Sequence, residues 1–262
     1  MKTNRRTFLR NFATAISAGA FLSNVSPKAA QQSSPSTEKI PCRITEFPEP
    51  DEAFPGRGPV RNAAWFRRIW ISRRKFFWQN RLQDQNAVVF LGDSITQGWQ
   101  NLADFFPGMK VANRGISGDV TRGVLYRMQD DVILLKPKAV VLLIGTNDLG
   151  SGGTPEDAAY NIEEILHRLH WERPDMPLIL CLVMPRAPQY AKRVQKLNQL
   201  IQEAAIKFPT CRICDTWSIY VQPNGGVTRD EFPDLLHPNQ KGYKKWAEAL
   251  RPILIDLELL PK

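Results

Sequence analysis

Ala139-Val140-Val141-Leu142-Leu143-Ile144-Gly145-Thr146-Asn147-Asp148 is an unbroken apolar run that passes directly into a glycine and three polar residues. Six apolar residues without alternating polar positions are typical of a strand that is buried on both faces, as in a parallel sheet. Residues 87–91 and 178–183 are similar runs. Because both faces of such a sheet must be covered, the sequence predicts helices packed on each side of it.

Strand and helix patterns alternate along the chain from residue 87 onward. The candidate strands are residues 87–91, 110–112, 139–144, 178–183 and 211–215, and the candidate helices lie near residues 120–134, 155–171, 190–208 and 239–257. This alternation predicts an α/β domain built on a parallel sheet. The loops that follow parallel strands converge at the carboxyl ends of the strands, where we expect the functional site.

A serine follows the first candidate strand in the segment Gly92-Asp93-Ser94-Ile95. At a strand-to-helix turn the hydroxyl is accessible and the backbone N–H can face an anion, as a nucleophile requires. The alternative is a structural role, because aspartate and serine are both common helix N-caps. The segment alone leaves both interpretations open.

A histidine with an aspartate three residues before it occurs in Asp234-Leu235-Leu236-His237. This spacing lets the carboxylate hold one imidazole nitrogen while the other nitrogen faces a serine. The alternative is an N-cap aspartate followed by an incidental histidine. The remaining histidines, His167 and His170, lie in a charged helical stretch, where a solvated or packed role is expected.

Two further residues can donate hydrogen bonds to an anionic oxygen. Asn147 follows the third strand and offers its side-chain amide, while Gly118, in the glycine-rich segment 115–119, can bring a backbone N–H close to a ligand. Both residue types are also common in turns, and a role in a turn is compatible with donating a hydrogen bond to an anionic oxygen. Together with Ser94 and His237, they predict attack of a serine hydroxyl on an acyl ester.

These segments resemble the SGNH hydrolase superfamily, also called GDSL esterases and lipases. The resemblance covers residues 86–257 and includes four blocks, Gly92-Asp93-Ser94, Gly118, Gly145-Thr146-Asn147-Asp148 and Asp234-x-x-His237. It implies that Ser94 is the nucleophile, His237 the base and Asp234 the residue that orients it. It also implies an oxyanion hole formed by Ser94, Gly118 and Asn147.

Within that superfamily, residues 119–128 and Leu135-Lys136-Pro137-Lys138 are similar to the catalytic subunit of platelet-activating factor acetylhydrolase IB. This resemblance implies a three-layer α/β/α sandwich with a five-stranded parallel flavodoxin-like sheet, a preference for short acyl groups such as acetyl, and a homodimer. It implies neither a metal nor another cofactor. The segments that precede the domain differ from that subunit, so its lipid substrate is not carried over.

Several functions remain open at this stage. An exported serine esterase that hydrolyses short-chain acyl esters of carbohydrates or other small molecules is favoured. A lysophospholipase or lipase would need a long apolar groove, and an acyltransferase would use an alcohol in place of water. A non-enzymatic binding module is disfavoured because a nucleophile, a base, an orienting acid and oxyanion donors are all present.

Residues 1–30 predict an export signal of the twin-arginine type. Arg5-Arg6 precedes Phe8-Leu9 and a short apolar run without acidic residues; a disordered basic tail is the alternative. We therefore expect a bacterial protein that is periplasmic or extracellular, or anchored in the inner membrane if the signal is uncleaved.

The formal net charge of +9 includes five basic residues of segment 1–30. The 30 basic and 26 acidic residues that follow give no indication of nucleic-acid binding.

Two segments precede the catalytic domain, which we assign to residues 86–262. Residues 31–60, rich in Pro, Ser and Glu, predict an exposed linker or an extended strap. In residues 61–85, apolar positions 66, 69, 70 and 77, with the stem of Arg73, approximate helical spacing and predict a basic amphipathic helix packed on the domain. Contact of residues 61–81 with a membrane or an anionic polymer is the alternative.

The four cysteines do not form a metal-binding pattern. Cys211 and Cys214 lie three residues apart in a candidate strand, which points them to opposite faces, and no second pair completes a zinc site. Cys181 and at least one of this pair are therefore expected to be buried as small hydrophobic residues, with a disulfide involving these cysteines or Cys42 as the alternative.

Overall fold

A computed structural model describes Ile44, residues 46–49 and residues 51–261. Its sheet consists of five parallel strands, β1 (Val88–Gly92), β2 (Val111–Gly115), β3 (Ala139–Leu143), β4 (Leu178–Cys181) and β5 (Cys211–Cys214). The strand order is β2-β1-β3-β4-β5, and every neighbouring pair is parallel. The predicted α/β fold with a five-stranded parallel sheet is confirmed.

Helices cover both faces of the sheet. They are α1 (Ala64–Asn80), α2 (Ser94–Gln97), α3 (Leu102–Phe105), α4 (Thr121–Asp131), α5 (Thr146–Gly150), α6 (Pro155–Glu172), α7 (Ala191–Ala205) and α8 (Gln240–Asp256). Along β1, Val89 and Leu91 pack into the cluster with α4, α6 and α7, while Val88 and Phe90 pack into the cluster with α3 and α8. Alternate residues of a strand point to opposite faces, so this division gives the three-layer sandwich.

The second strand differs from its prediction in length. The apolar pattern indicated residues 110–112, whereas β2 continues through Asn113 and Arg114 to Gly115. Because β2 lies at the edge of the sheet, part of it faces polar surroundings, and its residues need not be apolar. The Arg114 side chain is nevertheless buried, where it bonds the carbonyl of Asp131 and the carboxylate of Asp84.

Helix α1 packs on the domain through Phe66, Trp70, Arg74 and Phe77. The sequence predicted the stem of Arg73 on this face, but Arg74 is the buried arginine. Its guanidinium bonds the carboxylates of Asp130 and Asp131 on α4. A buried cation is tolerated when it is paired in this way.

Within the segment predicted as an exposed linker or an extended strap, residues 46–49 and 51–60 form a strap that contacts the domain, although most of these residues are exposed. Phe54 is buried, and Phe47 packs against the aromatic residues of α1. Arg122 on α4 donates hydrogen bonds to the carbonyls of Phe54, Pro55 and Gly58. The first residues of the predicted linker, the predicted export signal at 1–30 and Cys42 lie outside the described residues.

The described cysteines are free thiols. Cys214 packs on the α8 side of the sheet and Cys211 on the other, as the strand pattern predicted. Cys181 and Cys214 are buried, while Cys211 is partly exposed. Among the described residues, no helix has the length and apolar character needed to cross a bilayer.

Candidate active site

Ser94 begins helix α2 at the carboxyl end of β1. The chain can turn there because residue 92 is glycine: an added Cβ would lie 2.3 Å from both the Leu143 carbonyl oxygen and Thr96 Oγ1. Asp93 caps α2 by accepting a hydrogen bond from the Ile95 N–H at 2.9 Å. The predicted N-cap role therefore falls to Asp93, which leaves the Ser94 side chain free for another partner.

That partner is His237. Ser94 Oγ lies 2.8 Å from His237 Nε2, and His237 Nδ1 lies 2.6 Å from Asp234 Oδ2. The second oxygen of Asp234 accepts hydrogen bonds from the backbone N–H groups of Leu236 and His237. The backbone between them turns at Leu235, which has a left-handed φ of 61°. In this arrangement the imidazole can accept the serine proton while the aspartate fixes the ring orientation.

The carboxylate of Asp234 is held in its ionised form. Partial burial acts to raise its pKa, but hydrogen bonds from the His237 side chain and from two backbone N–H groups outweigh this and lower the pKa below its ordinary value. The side chains of His237 and Asp234 are 40% and 55% exposed. The pair therefore opens to solvent, where a bulky substrate can reach it.

Gly118 and Asn147 lie on neighbouring loops of the same edge. Gly118 has a φ of 84°, a conformation that favours glycine. Asn147 Nδ2 donates to the carbonyl oxygen of Asp119 at 3.0 Å. An amide nitrogen carries two hydrogens, so this bond fixes the orientation of the side chain and leaves a second N–H available. Within the described part of the chain, the backbone N–H groups of Ser94 and Gly118 have no acceptor.

A buried ion pair ties the loops together beneath these groups. Arg127 Nε donates to Asp119 Oδ2 at 2.8 Å, and its Nη2 donates to the carbonyl of Gly92 at 3.1 Å. Both side chains are fully buried. Arg127 thus connects the end of β1, which carries Ser94, to the residue whose carbonyl holds Asn147.

Asp148 supports the loop from the other side. Its carboxylate accepts hydrogen bonds from the N–H and the hydroxyl of Thr121, the first residue of α4. Burial raises the pKa of Asp148 to about 7, although the Thr121 hydrogen bonds act to lower it. Burial also raises the pKa of Asp93 to about 7 and that of Asp119 to about 6.

Asp148→Asn should alter the pH dependence of stability. The folded-state pKa of Asp148 lies above its ordinary value of 3.8, so its contribution to stability is greatest in acid and falls as the pH rises from about 4 to about 7. Asparagine does not ionise. The free energy of unfolding of the variant minus that of wild type should therefore increase as the pH rises across this range, so the variant gains stability relative to wild type.

Urea unfolding at about pH 4 and about pH 8 measures this change. Asp104→Asn, at an exposed position on α3, is the matched control and should show no such trend. The same difference in unfolding free energy at both pH values for Asp148→Asn would contradict the account of its burial.

The structure brings all five predicted site residues to one edge of the sheet. The histidines expected to be structural lie elsewhere, on α6, where both rings pack against Phe208.

Within the described part of the chain, no group of three His, Cys, Asp or Glu side chains is placed to hold a metal ion.

Sequence reasoning did not find the supporting residues Arg127 and Arg186. Arg186 Nη1 bonds the carbonyl and hydroxyl of Thr146, which precedes Asn147. One feature of the sequence could have indicated a buried arginine: Arg127 lies on the apolar face of the helix predicted at 120–134.

Comparison with known proteins identifies the family. The profile of the GDSL-like lipase/acylhydrolase family matches residues 90–245, more than half of the chain. The chain belongs to this family, and the predicted membership is confirmed.

Individual relatives agree with this assignment. Platelet-activating factor acetylhydrolase IB subunit alpha2 from Bos taurus is 28% identical over 195 residues, which cover 72% of this chain and 84% of the relative. The alpha1 subunit from Pongo abelii is 27% identical over 198 residues, again 72% of this chain and 84% of the relative. The crystal structure of a GDSL-like lipase from Bacteroides thetaiotaomicron superposes with a TM-score of 0.60 at 25% identity, covering 69% of this chain and 97% of that one.

Proposed function

We propose that this protein is an exported serine esterase that hydrolyses short-chain acyl esters, with acetyl as the preferred acyl group. The observation that carries the proposal is the continuous chain of contacts from Ser94 Oγ to His237 Nε2 and from His237 Nδ1 to Asp234. Family membership supports a hydrolase, and the acetylhydrolase relatives support a short acyl group.

In the first half of the reaction, Ser94 Oγ bonds to the carbonyl carbon of the ester while His237 Nε2 takes the hydroxyl proton. Asp234 stabilises the imidazolium that forms. The carbonyl oxygen becomes negatively charged and accepts hydrogen bonds from the N–H groups of Ser94 and Gly118 and from the Asn147 amide. The C–O bond to the alcohol then breaks, and His237 returns its proton to the departing oxygen.

The second half repeats these steps with water. His237 accepts a proton from the water as its oxygen attacks the acyl-enzyme carbonyl, and the same three donors hold the oxyanion. The bond to Ser94 breaks, Ser94 regains a proton from His237, and the carboxylic acid leaves. If an alcohol took the place of water, the same residues would transfer the acyl group.

A chain-length series tests this function. The purified protein should hydrolyse 4-nitrophenyl acetate and butyrate with a higher kcat/KM than 4-nitrophenyl octanoate. A preference for octanoate would favour a lipase or lysophospholipase instead.

An added alcohol acceptor, with analysis of the products, separates hydrolysis from acyl transfer. The location of the protein is tested by fractionating cells that express the full chain, since export through residues 1–30 predicts recovery outside the cytoplasm.

A further inference from the structure

Two residues at the start of α1, Arg61 just before the helix and Trp65 in its first turn, lie against the loops that carry Gly118 and Asn147. A Cβ added at Gly118 would stand 2.7 Å from Trp65 Cη2, so the end of the indole touches this glycine. Arg61 Nη2 donates to the hydroxyl of Ser151 at 2.6 Å, and the Ser151 N–H bonds the carbonyl of Asn147. Arg61 and Trp65 therefore form one wall beside Gly118 and Asn147, although both precede the segment that carries the family motifs.

The Trp65 side chain is exposed yet held in place. Its residue exposure is 43%, whereas the neighbouring Phe66 is buried. The two rings meet edge to face, with centroids 5.9 Å apart, and the far end of the indole rests on Gly118. A large aromatic surface that is already ordered can bind a ligand without the entropic cost of fixing a mobile side chain.

The alcohol part of the ester is the part that can reach this surface. This step rests on the proposed function, in which the acyl group is short. An acetyl group has two carbons and remains beside Ser94 and the oxyanion donors. A substrate group that contacts the Trp65 ring therefore belongs to the leaving alcohol.

The chemistry of the wall selects among alcohols. The Arg61 guanidinium lies 5.6 Å from the centroid of the Trp65 ring, so a cationic alcohol would be repelled by Arg61 and would compete with it for the aromatic face. A long alkyl chain would cover the indole but would also desolvate the guanidinium and the Ser151 hydroxyl without replacing their hydrogen bonds to water. A sugar ring has an apolar C–H face that fits an aromatic ring and hydroxyl groups at its edge that can bond Arg61 and Ser151.

We propose that Trp65 and Arg61 form a subsite for a sugar ring and that the substrate is an acetylated carbohydrate. Trp65 is then a specificity residue that binds the leaving alcohol and takes no part in proton transfer. Its removal should weaken the turnover of carbohydrate esters and spare small esters that cannot reach the ring.

Trp65→Leu tests this subsite because leucine keeps an apolar contact with Gly118 and Phe66 but removes the aromatic face. The variant should lose about tenfold or more in kcat/KM for acetylated xylose, mainly through KM, and should change by less than about twofold for ethyl acetate. Trp65→Phe, which retains an aromatic face, should recover most of the loss. Phe76→Leu is the matched control, since Phe76 is another exposed aromatic residue of α1 and is 49% exposed; it should match wild type on both substrates.

Three other results would contradict the proposed subsite. Equal losses on both acetates would mean that Trp65 supports the oxyanion loop and does not bind substrate, and no loss on either would mean that it faces no ligand. A higher kcat/KM for acetylcholine than for acetylated xylose would contradict the sugar assignment. Inactivity of the wild-type protein toward every acetate would contradict the proposed function itself, which keeps the two failures distinct.

Discussion

Ser94→Ala should abolish ester hydrolysis and leave the fold intact. Within the described part of the chain, the one hydrogen bond of the Ser94 side chain is to His237, so the substitution removes the proposed nucleophile and no other side-chain hydrogen bond. Replacing the nucleophile of a serine hydrolase lowers kcat by on the order of 10⁴-fold or more. Turnover of 4-nitrophenyl acetate, with thermal unfolding to verify the fold, measures both parts of this expectation.

Covalent labelling provides an independent readout of the same residue. An organofluorophosphonate should modify wild-type protein at Ser94 and should not label the Ser94→Ala variant. Ser72→Ala, at an exposed position on α1, is the control and should behave as wild type in both assays. If Ser94→Ala retained most of its activity, or if the label were found on another residue, Ser94 would not be the nucleophile.

Asn147→Ala should lower kcat by on the order of 10²–10³-fold, the effect of removing one oxyanion donor in other acyl-transfer enzymes. The amide is oriented by its bond to the Asp119 carbonyl, and its remaining N–H is the one we assign to the transition state. Because this bond to substrate forms mainly as charge develops on the carbonyl oxygen, KM should change little. Steady-state kinetics on 4-nitrophenyl acetate give the two parameters separately.

A control separates the loss of this donor from the loss of an amide in general. Asn80→Ala removes an asparagine whose side-chain amide donates to the Phe76 carbonyl within α1, and this variant should retain wild-type kcat. A rise in KM at unchanged kcat for Asn147→Ala would show that Asn147 binds the ground state and would remove it from the oxyanion hole.

The strands were the most predictable part of this fold. Three of them are apolar runs because they are buried on both faces, and the described boundaries lie within two residues of the predicted ones for β1, β3, β4 and β5. The edge strand β2 was predicted too short because its polar residues, Asn113 and Arg114, interrupt the apolar pattern. Hydrophobic periodicity reports the burial of apolar side chains, so it gives no signal at strand positions such as Arg114, where a polar side chain is buried.

The candidate site residues were predictable for a related reason. Ser94, Gly118 and Asn147 each follow a strand, and parallel strands end at the same edge, so their proximity follows from the fold class. The residues beneath them were not predictable. Arg127 reaches the Gly92 carbonyl across 35 positions of sequence, and nothing local to a helix indicates which distant backbone group its side chain will bond.

The composition of residues 31–60 left two interpretations open, an exposed linker and an extended strap. Residues 46–60 have the appearance of a linker because they contain proline and glycine and lack a periodic pattern, yet the Arg122 guanidinium binds three of their carbonyl groups. Every residue has a backbone carbonyl, so the sequence does not indicate which carbonyl groups will accept hydrogen bonds from a distant side chain.

The strap has a practical consequence for anyone who trims this protein. A fragment cut at the limits of the family profile, residues 90–245, would begin inside β1 and end inside α8, and it would also discard the three carbonyl partners of Arg122 and the aromatic rings of α1. The segment that matches the family profile is thus smaller than the set of residues that pack together. Expression boundaries should start upstream of Phe47.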